Sequence, residues 1–181
     1  MDFLELVKKR QSVRSYLEKP VEQDKIERCL EAARLAPSAC NAQPWKFVVV
    51  NEPMLKNAVA RETFGKIISF NHFSMQAPVL VLIVCEKPNI TARIGAAIKN
   101  KEFSLIDIGV AAEHFCLAAA EEGLGTCMLG WFDERGVKEL LGIHKHKRIV
   151  LIITVGYADS SEIQPKKRKE LDDIRSYNSY E

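Results

Sequence analysis

The sequence predicts one α+β domain with a central mixed β-sheet covered by helices. Helical apolar periodicity alternates along the chain with a few short, continuous apolar runs of strand length. The composition, 47% hydrophobic and 28% charged over 181 residues, is that of an ordinary globular protein. No internal repeat, low-complexity tract or interdomain linker is visible. We therefore expect residues 1–181 to form a single domain around one core.

The predicted helices follow from apolar spacing and from residues that start or stop helices. Asp2 and Glu5 have the form of a capping box at the start of the first helix. Gly123 and Gly125 are expected to end the longest helix, which is apolar nearly all round and should be central and buried. The helical segments are residues 3–7, 22–36 with a stop at Pro37, 55–59, a broken segment 64–75, 105–119 and 137–141.

Four apolar runs predict the β-strands of the sheet. They cover residues 47–50, 79–85, 126–129 and 149–155, and the last of them gives the clearest pattern. Residues 156–181 are instead polar, rich in lysine and without periodicity. This tail is expected to need another surface to order it.

Charge and cysteine usage narrow the class of protein. The 26 basic and 24 acidic residues give a net charge of +2, too small to indicate a nucleic-acid or membrane surface. The apolar runs are shorter than a membrane span, and no signal-peptide core follows Met1. The cysteines are odd in number and widely spaced, which favours reduced thiols in a cytoplasmic protein: Cys29, Cys40, Cys85, Cys116 and Cys127.

Two polar clusters in the first quarter of the chain could bind a ligand. Arginine forks and a serine hydroxyl suit phosphate oxygens, and such groups follow the first helix at Arg10, Gln11, Ser12 and Arg14. The alternative is a solvated basic loop. Residues 37–45, PSACNAQPW, form a loop with many short donors and acceptors. The alternative there is ordinary turn chemistry, with Ser38 and Asn41 satisfying backbone groups and Trp45 packing inside.

Two further clusters lie in the second half. Residues 123–132, GLGTCMLGWF, carry glycines that let a planar ligand approach the backbone, although the same glycines could simply end a helix. Residues 165–169, PKKRK, are a second basic group or a solvated tail. No GxSxG, P-loop or GxGxxG pattern is present, and His144 and His146 lack further metal ligands nearby in the sequence. Neither a catalytic nucleophile nor a metal site is expected.

Taken together, the four clusters resemble the nitroreductase family of flavoproteins. The shared pattern is RxSxR near the N-terminus, PSxxNxQPW after the second helix, a glycine turn before a late helix, and KxR in the tail. It covers nearly the whole chain, and PSACNAQPWKF is its most specific part. The resemblance implies a three-layer α-β-α fold and an intertwined homodimer with FMN bound at its interface.

The resemblance also assigns cofactor contacts by matching motifs. In one subunit Arg10, Gln11, Ser12 and Arg14 would hold the flavin, with Lys166 and Arg168 at its phosphate. The other subunit would supply Pro37, Ser38, Ala39 and Asn41. The turn Leu129, Gly130 and Trp131 would lie along the flavin with a backbone amide near N5, and Asn71 is a further expected contact.

Two departures from the family pattern bear on the substrate. Many relatives carry a second serine where this chain has Ala39, so one hydroxyl contact to the flavin is missing. Residues 86–103 are also shorter than in the larger relatives, where helices cover the substrate. Substrate preference is therefore not transferred.

The implied activity is hydride transfer from NADH or NADPH to FMN and then to a nitroaromatic, quinone or similar small acceptor, in ping-pong order. The flavin carries the chemistry, and Arg14 is the expected fixed cation beside the N1–O2 edge. Two alternatives stay open. One is a flavin-binding or regulatory module without significant turnover, and the other is an FMN-dependent dehalogenase or flavin-consuming enzyme.

Overall fold

The computed structural model describes residues 2–65, 69–86 and 102–180. These residues form the α+β arrangement that the sequence predicts. The helices are α1 (Phe3–Lys9), α2 (Gln23–Arg34), α3 (Pro53–Arg61), α4 (Phe103–Glu121) and α5 (Glu134–Leu141). The strands are β1 (Trp45–Val50), β2 (Val79–Cys85), β3 (Gly125–Leu129) and β4 (Arg148–Gly156). Short 3-10 turns lie at Ala39–Asn41, His72–Met75 and Leu171–Asp173.

The strands lie in the order β1-β2-β4-β3, and each neighbouring pair is antiparallel. The sequence predicted a mixed sheet. Among the described residues, parallel pairing is confined to one isolated bridge between Ser12 and Thr126. Strand direction depends on how the connections return to the sheet, and an apolar run does not encode that choice.

Helices cover both faces of the sheet, which gives the three layers expected from the family resemblance. On one face, α3 and α5 pack on the alternate strand residues Leu80, Leu82 and Ile152. On the other face, α2 and α4 pack on Val81, Ile83 and Ile153. Each fully buried side chain of this size stabilises the fold by about 1.5–3 kcal/mol. Because both faces are covered, the central strands read as continuous apolar runs.

Helix α4 is central, as its apolar character predicts, but only 44% of it is buried, so the expectation of a fully buried helix is wrong. By length and composition Phe103–Glu121 could also cross a membrane. In the fold, however, its buried side chains pack against α2 and the sheet: Asp107, Ile108, Ala111, Ala112, Phe115, Cys116, Ala119 and Ala120. Ile106, on another face of the helix, is 59% exposed.

The helix ends confirm some of the expected caps and correct others. Gly123 ends α4 in the left-handed region (φ 77°), and the Leu124 amide donates to the Ala119 carbonyl at 2.7 Å. Gly125 is not part of this cap, because it is the first residue of β3. The capping box is also wrong: the Asp2 side chain makes no capping hydrogen bond, and Glu5 pairs with Lys8 at 2.9 Å instead.

Two further expectations concern the middle and the end of the chain. The broken helix predicted for residues 64–75 is a 3-10 turn at His72–Met75, and residues 66–68 lie outside the described ranges. The segment 86–103, noted for its length, also lies mostly outside them. In the described part of the tail, Gly156 ends β4, Ala158 forms an isolated bridge to Tyr16, and a 3-10 turn lies at Leu171–Asp173. Most of these residues are exposed, and the expectation that another surface orders the tail stays a prediction.

Candidate functional site

The first basic cluster begins at the C-terminal end of α1, where Arg10 follows the last helical residue. The Arg10 Nε atom lies 3.1 Å from the Glu113 Oε1 atom on α4. That contact is an ion pair without hydrogen-bond geometry, and Nε is buried with no hydrogen-bond partner among the described residues. A buried, unsatisfied guanidinium nitrogen is costly, so this position suits an anionic ligand that can accept from it.

The second basic cluster meets the first in space. The Lys166 ammonium donates to the backbone carbonyl of Arg10. Burial lowers the pKa of Lys166, and the neighbouring charges of Arg10 and Arg168 lower it further. The fold therefore brings Arg10 together with Lys166, which lies 156 positions further along the chain, and with the neighbouring charge of Arg168. Mutual repulsion among them is relieved when an anion binds.

Gln11 connects the N-terminal segment to the tail. Its Nε2 atom donates to the Glu162 carbonyl at 3.0 Å, and its Oε1 atom accepts from the Gln164 amide at 3.1 Å. These two hydrogen bonds hold the start of the tail against residues 10–14, close to the Arg10 carbonyl that Lys166 contacts. The side-chain amide that the family pattern assigns to the flavin is thus engaged with the tail in this structure.

Ser12, Val13 and Arg14 run alongside β3. Ser12 forms the parallel bridge to Thr126, and the Val13 amide donates to the Thr126 carbonyl at 2.9 Å. Arg14 Nη1 donates to the Ser12 carbonyl at 3.3 Å. The charge of Arg14 also reaches Cys127, because it opposes the rise in the Cys127 pKa that burial causes. Arg14 therefore lies beside β3.

The C-terminal end of β3 leads into the glycine turn. Leu129 is buried, whereas Gly130 is exposed and Trp131 is 56% exposed. Asn71 fixes this turn, since its Nδ2 atom donates to the carbonyls of Thr63 and Trp131, both at 3.1 Å. The sequence assigned Asn71 a flavin contact, and the structure gives its amide nitrogen a role in holding the turn.

The loop of residues 37–43 is strained and largely self-contained. Cys40, Asn41 and Gln43 have φ of 52°, 50° and 46°, in the left-handed region that non-glycine residues seldom occupy. Ser38 Oγ accepts from the Gln43 amide at 3.0 Å. The Gln43 side chain donates to the Asn41 carbonyl and to Asn41 Oδ1. Part of the predicted turn chemistry is therefore present, and such strain is found most often at functional sites.

Asp107 is a residue that the sequence reasoning missed. It is only 7% exposed on α4, and its Oδ1 atom accepts from the Ala39 amide at 3.1 Å. This contact anchors the strained loop to the central helix. A signal was present in the sequence, because Asp107 is a carboxylate between two isoleucines in the most apolar helix of the chain. Buried carboxylates usually have a specific partner.

The chain brings three of the four predicted clusters together. Residues 10–14 contact the tail and β3, and β3 leads to the turn at Gly130. The remaining cluster is the one at residues 37–45. The contacts described above for its residues 37–43 are internal or made to α4. A cavity of about 320 Å³ next to the first cluster includes Arg10 and Gln11, while the other predicted contacts lie outside its lining.

The buried thiols do not offer a nucleophile at this site. Burial raises the pKa of Cys116 to about 12, and it raises the pKa of Cys127 as well. Since the thiolate is the nucleophilic form, these two residues are packing groups under the segment 10–14.

The three-layer α+β fold, with the basic segment 10–14 alongside the edge strand β3, defines the class of protein. The chain belongs to the nitroreductase family, whose model matches residues 7–157. Members of this family are oxidoreductases, and the match confirms the family resemblance read from the motifs.

Individual relatives differ in their named activities. An iodotyrosine deiodinase from Thermotoga neapolitana is 31% identical over 97% of this chain and 97% of its own. An NADH dehydrogenase from Thermus thermophilus is 28% identical over 92% of this chain and 91% of its own. Among solved structures, an FMN-dependent nitroreductase from Clostridium difficile R20291 is 25% identical, with a TM-score of 0.77 over 98% of this chain and 100% of that chain.

Proposed function

We propose that the protein is an FMN-dependent NAD(P)H oxidoreductase that acts as a homodimer with the flavin between its subunits. The observation that carries the proposal is the buried Arg10 Nε atom without a hydrogen-bond partner among the described residues, set beside Lys166. A phosphate monoester supplies the missing hydrogen-bond acceptor, and its charge adds to that of Glu113 in offsetting Arg10, Lys166 and Arg168. The family of the chain and the FMN-dependent relative support the choice of FMN.

The residues of one chain divide the work of binding. Arg10, Lys166 and Arg168 would take the phosphate, and Gln11 would keep the tail in place for them. Ser12 and Arg14 lie along β3 and would face the ring system. Leu129, Gly130 and Trp131 would offer backbone groups to it, with Asn71 holding the turn.

When bound, FMN supplies a hydride acceptor at N5 that NADH or NADPH can reduce and that a nitroaromatic, quinone or similar small acceptor can re-oxidise. The protein contributes orientation and charge. Arg14 would stabilise negative charge at the N1–O2 edge, because a fixed cation costs no reorganisation during the transfer. One open site would serve the donor and the acceptor in turn, so ping-pong kinetics are expected.

The second subunit is needed for two reasons. Ser38, Ala39 and Asn41 are presented by a loop attached to α4, and the resemblance assigns them to the flavin of the partner subunit. Large apolar side chains are also exposed on α4 and on or next to the two helices that contact it, α1 and α2: Phe3 and Leu4 are each 63% exposed, Leu35 64% and Ile106 59%. We infer that these side chains contribute to one interface, since contiguous exposed apolar surface is typical of protein–protein contacts.

A titration of apoprotein tests the cofactor site directly. The purified protein should be yellow, with about one FMN per chain, and FMN should bind at least about tenfold more tightly than riboflavin. Charge-assisted hydrogen bonds to a phosphate are worth about 1.5–3 kcal/mol each, so the difference reports on Arg10 and Lys166. Equal affinities for FMN and riboflavin would contradict the assignment.

Turnover separates an enzyme from a flavin-binding module. With NADH or NADPH and a quinone or nitroaromatic acceptor, the enzyme should oxidise the nicotinamide continuously and give parallel lines in double-reciprocal plots. A binding or regulatory module would bleach slowly and stop after one equivalent. That result would reject the oxidoreductase while leaving the FMN site intact.

Reductive dehalogenation is a second candidate, favoured by one observation. The deiodinase from Thermotoga neapolitana matches nearly the full length of this chain. Incubation with a reductant and an iodinated phenol, followed by measurement of released iodide, tests it. Iodide release faster than quinone reduction would favour the dehalogenase, and its absence would favour the quinone or nitroaromatic acceptor.

A further inference from the structure

A second cavity lies away from the residues proposed to hold the flavin. It has a volume of about 680 Å³ and opens between residues 16–21, the first half of α3 and the segment that enters β2. Ligand sites commonly have volumes of about 300–1,000 Å³. Its lining shares no residue with the fourteen cofactor contacts assigned above: Tyr16, Glu18, Lys19, Pro20, Val21, Asn51, Pro53, Lys56, Asn57, Met75, Gln76, Pro78 and Val79.

Lys56 is the unusual member of this lining. It is only 7% exposed and lies on the buried face of α3, near Val59 and Ala60. An apolar residue would pack there without cost, whereas a buried ammonium loses its hydration. A lysine at a core-facing helix position therefore calls for a specific partner.

The partners that the fold supplies are incomplete. Lys56 Nζ donates to the Met75 carbonyl at 2.7 Å, which satisfies one of its three N–H groups. Burial lowers the pKa of Lys56, and within the described residues no acidic side chain acts to offset that effect. The positive charge is therefore held in the fold without a matching negative charge.

The other charged residues of the cavity do not supply a negative charge for Lys56. Glu18 and Lys19 are exposed, at its edge. The Lys19 ammonium lies 3.7 Å from the centre of the Tyr157 ring and is engaged there. The remaining walls are apolar side chains, among them Pro20, Val21 and Pro53, and side-chain amides such as Asn51 and Asn57.

We propose that this cavity binds a small organic carboxylate, with its carboxylate group paired to Lys56 and its apolar body against the proline, valine and methionine walls. A single ammonium suits one carboxylate. A phosphate or nucleotide site would use several donors in a fork or a backbone cradle, as the Arg10 cluster does. The site is separate from the flavin and does not depend on the proposed redox activity.

Benzoate is the probe, and it is added to the protein as purified. Binding at this cavity is followed by the 13Cε resonance of Lys56, which separates it from any binding near the flavin. The wild-type resonance should shift saturably with benzoate, and the neutral analogue benzamide should bind about tenfold or more weakly. Inorganic phosphate should also bind more weakly, because it has no apolar body.

Two lysine variants complete the test by calorimetry. Lys56→Met keeps a long side chain without charge and should weaken benzoate binding about tenfold or more while leaving the protein folded. Lys46→Met, at an exposed position of β1, is the matched control and should bind as wild type. Unchanged binding in Lys56→Met, no shift of the Lys56 resonance, or equal affinity for phosphate and benzoate would each overturn the proposal.

Discussion

The segment 10–14 and the loop 37–43 are both short and polar, yet the fold holds them in different ways. The first is fixed by parts of the chain far away in sequence: the tail, β3 and Glu113 on α4. The second holds itself through internal hydrogen bonds and left-handed residues, with Asp107 as its anchor. The segment 10–14 is held in place by its own chain, so it can bind the flavin within that chain. The loop 37–43 holds its own shape, so it can present its polar groups to the flavin of another chain.

The largest effect that tests this difference between the two regions is expected in the flavin content of mixed dimers. Suppose that Arg10→Glu and Asn41→Leu each abolish FMN binding in their own homodimers. In a two-fold dimer with composite sites, a mixed pair has one site with both lesions and one with neither. Random pairing makes about half of the dimers mixed, so about a quarter of the wild-type flavin content should return.

The flavin content of co-expressed, differently tagged subunits measures this recovery. If mixed dimers form but no flavin returns, both residues serve a site within one chain. The interfacial arrangement would then be wrong, even if the protein binds FMN.

The anchor of the second region gives the next effect. Asp107→Ala removes the acceptor for the Ala39 amide and should weaken FMN binding about 10- to 100-fold, because the loop loses its attachment to α4. Asp107→Asn keeps an acceptor oxygen and should bind nearly as wild type. In mixed dimers, Asp107→Ala should be complemented by Arg10→Glu and not by Asn41→Leu. If flavin content returns with both Arg10→Glu and Asn41→Leu, or with neither of them, Asp107 does not act through the loop 37–43.

The first region should respond to a change in β3. A Cβ atom on Gly125 would lie 2.6 Å from Val13 Cγ2 and 2.9 Å from Val13 Cβ, so Gly125→Ala must push the segment 10–14 away from the sheet. Overpacking of this kind costs about 1–3 kcal/mol. Urea unfolding should show that loss, together with weaker FMN binding. Gly65→Ala, where none of the described residues lies within 4 Å of the added Cβ atom, should change stability by less than about 0.5 kcal/mol.

The smallest expected effect tests the role of the Arg14 charge. Arg14→Gln should lower the two-electron potential of bound FMN by about 20–40 mV, which corresponds to about 1–2 kcal/mol. Reduction by NADH should slow more than FMN binding weakens, since the charge matters most after hydride transfer. Potentiometry and stopped-flow reduction measure the two effects. An unchanged potential would show that Arg14 does not face the N1–O2 edge.

Local patterns predicted the elements well, because core burial imposes a period on each one. The apolar runs at 79–85 and 149–155 became β2 and β4, and the longest periodic segment became α4. The pairing of strands that are far apart in the chain could not be predicted in the same way. The antiparallel order, and the entry of Gly125 into β3, depend on contacts that no local pattern encodes. For the site, motif order pointed to both regions, but the anchor Asp107 required the fold.

Helix α4 gives the two flavin pockets of the proposed dimer a mechanical link. Asp107 holds the loop that serves one pocket, and Glu113 contacts Arg10 of the other. The two carboxylates are six residues apart, about 9 Å along one rigid helix. A displacement of this helix would move both attachments at once, so in the proposed dimer we expect filling one pocket to change the affinity of the second. Stepwise FMN titration should then show unequal affinities for the first and second equivalents.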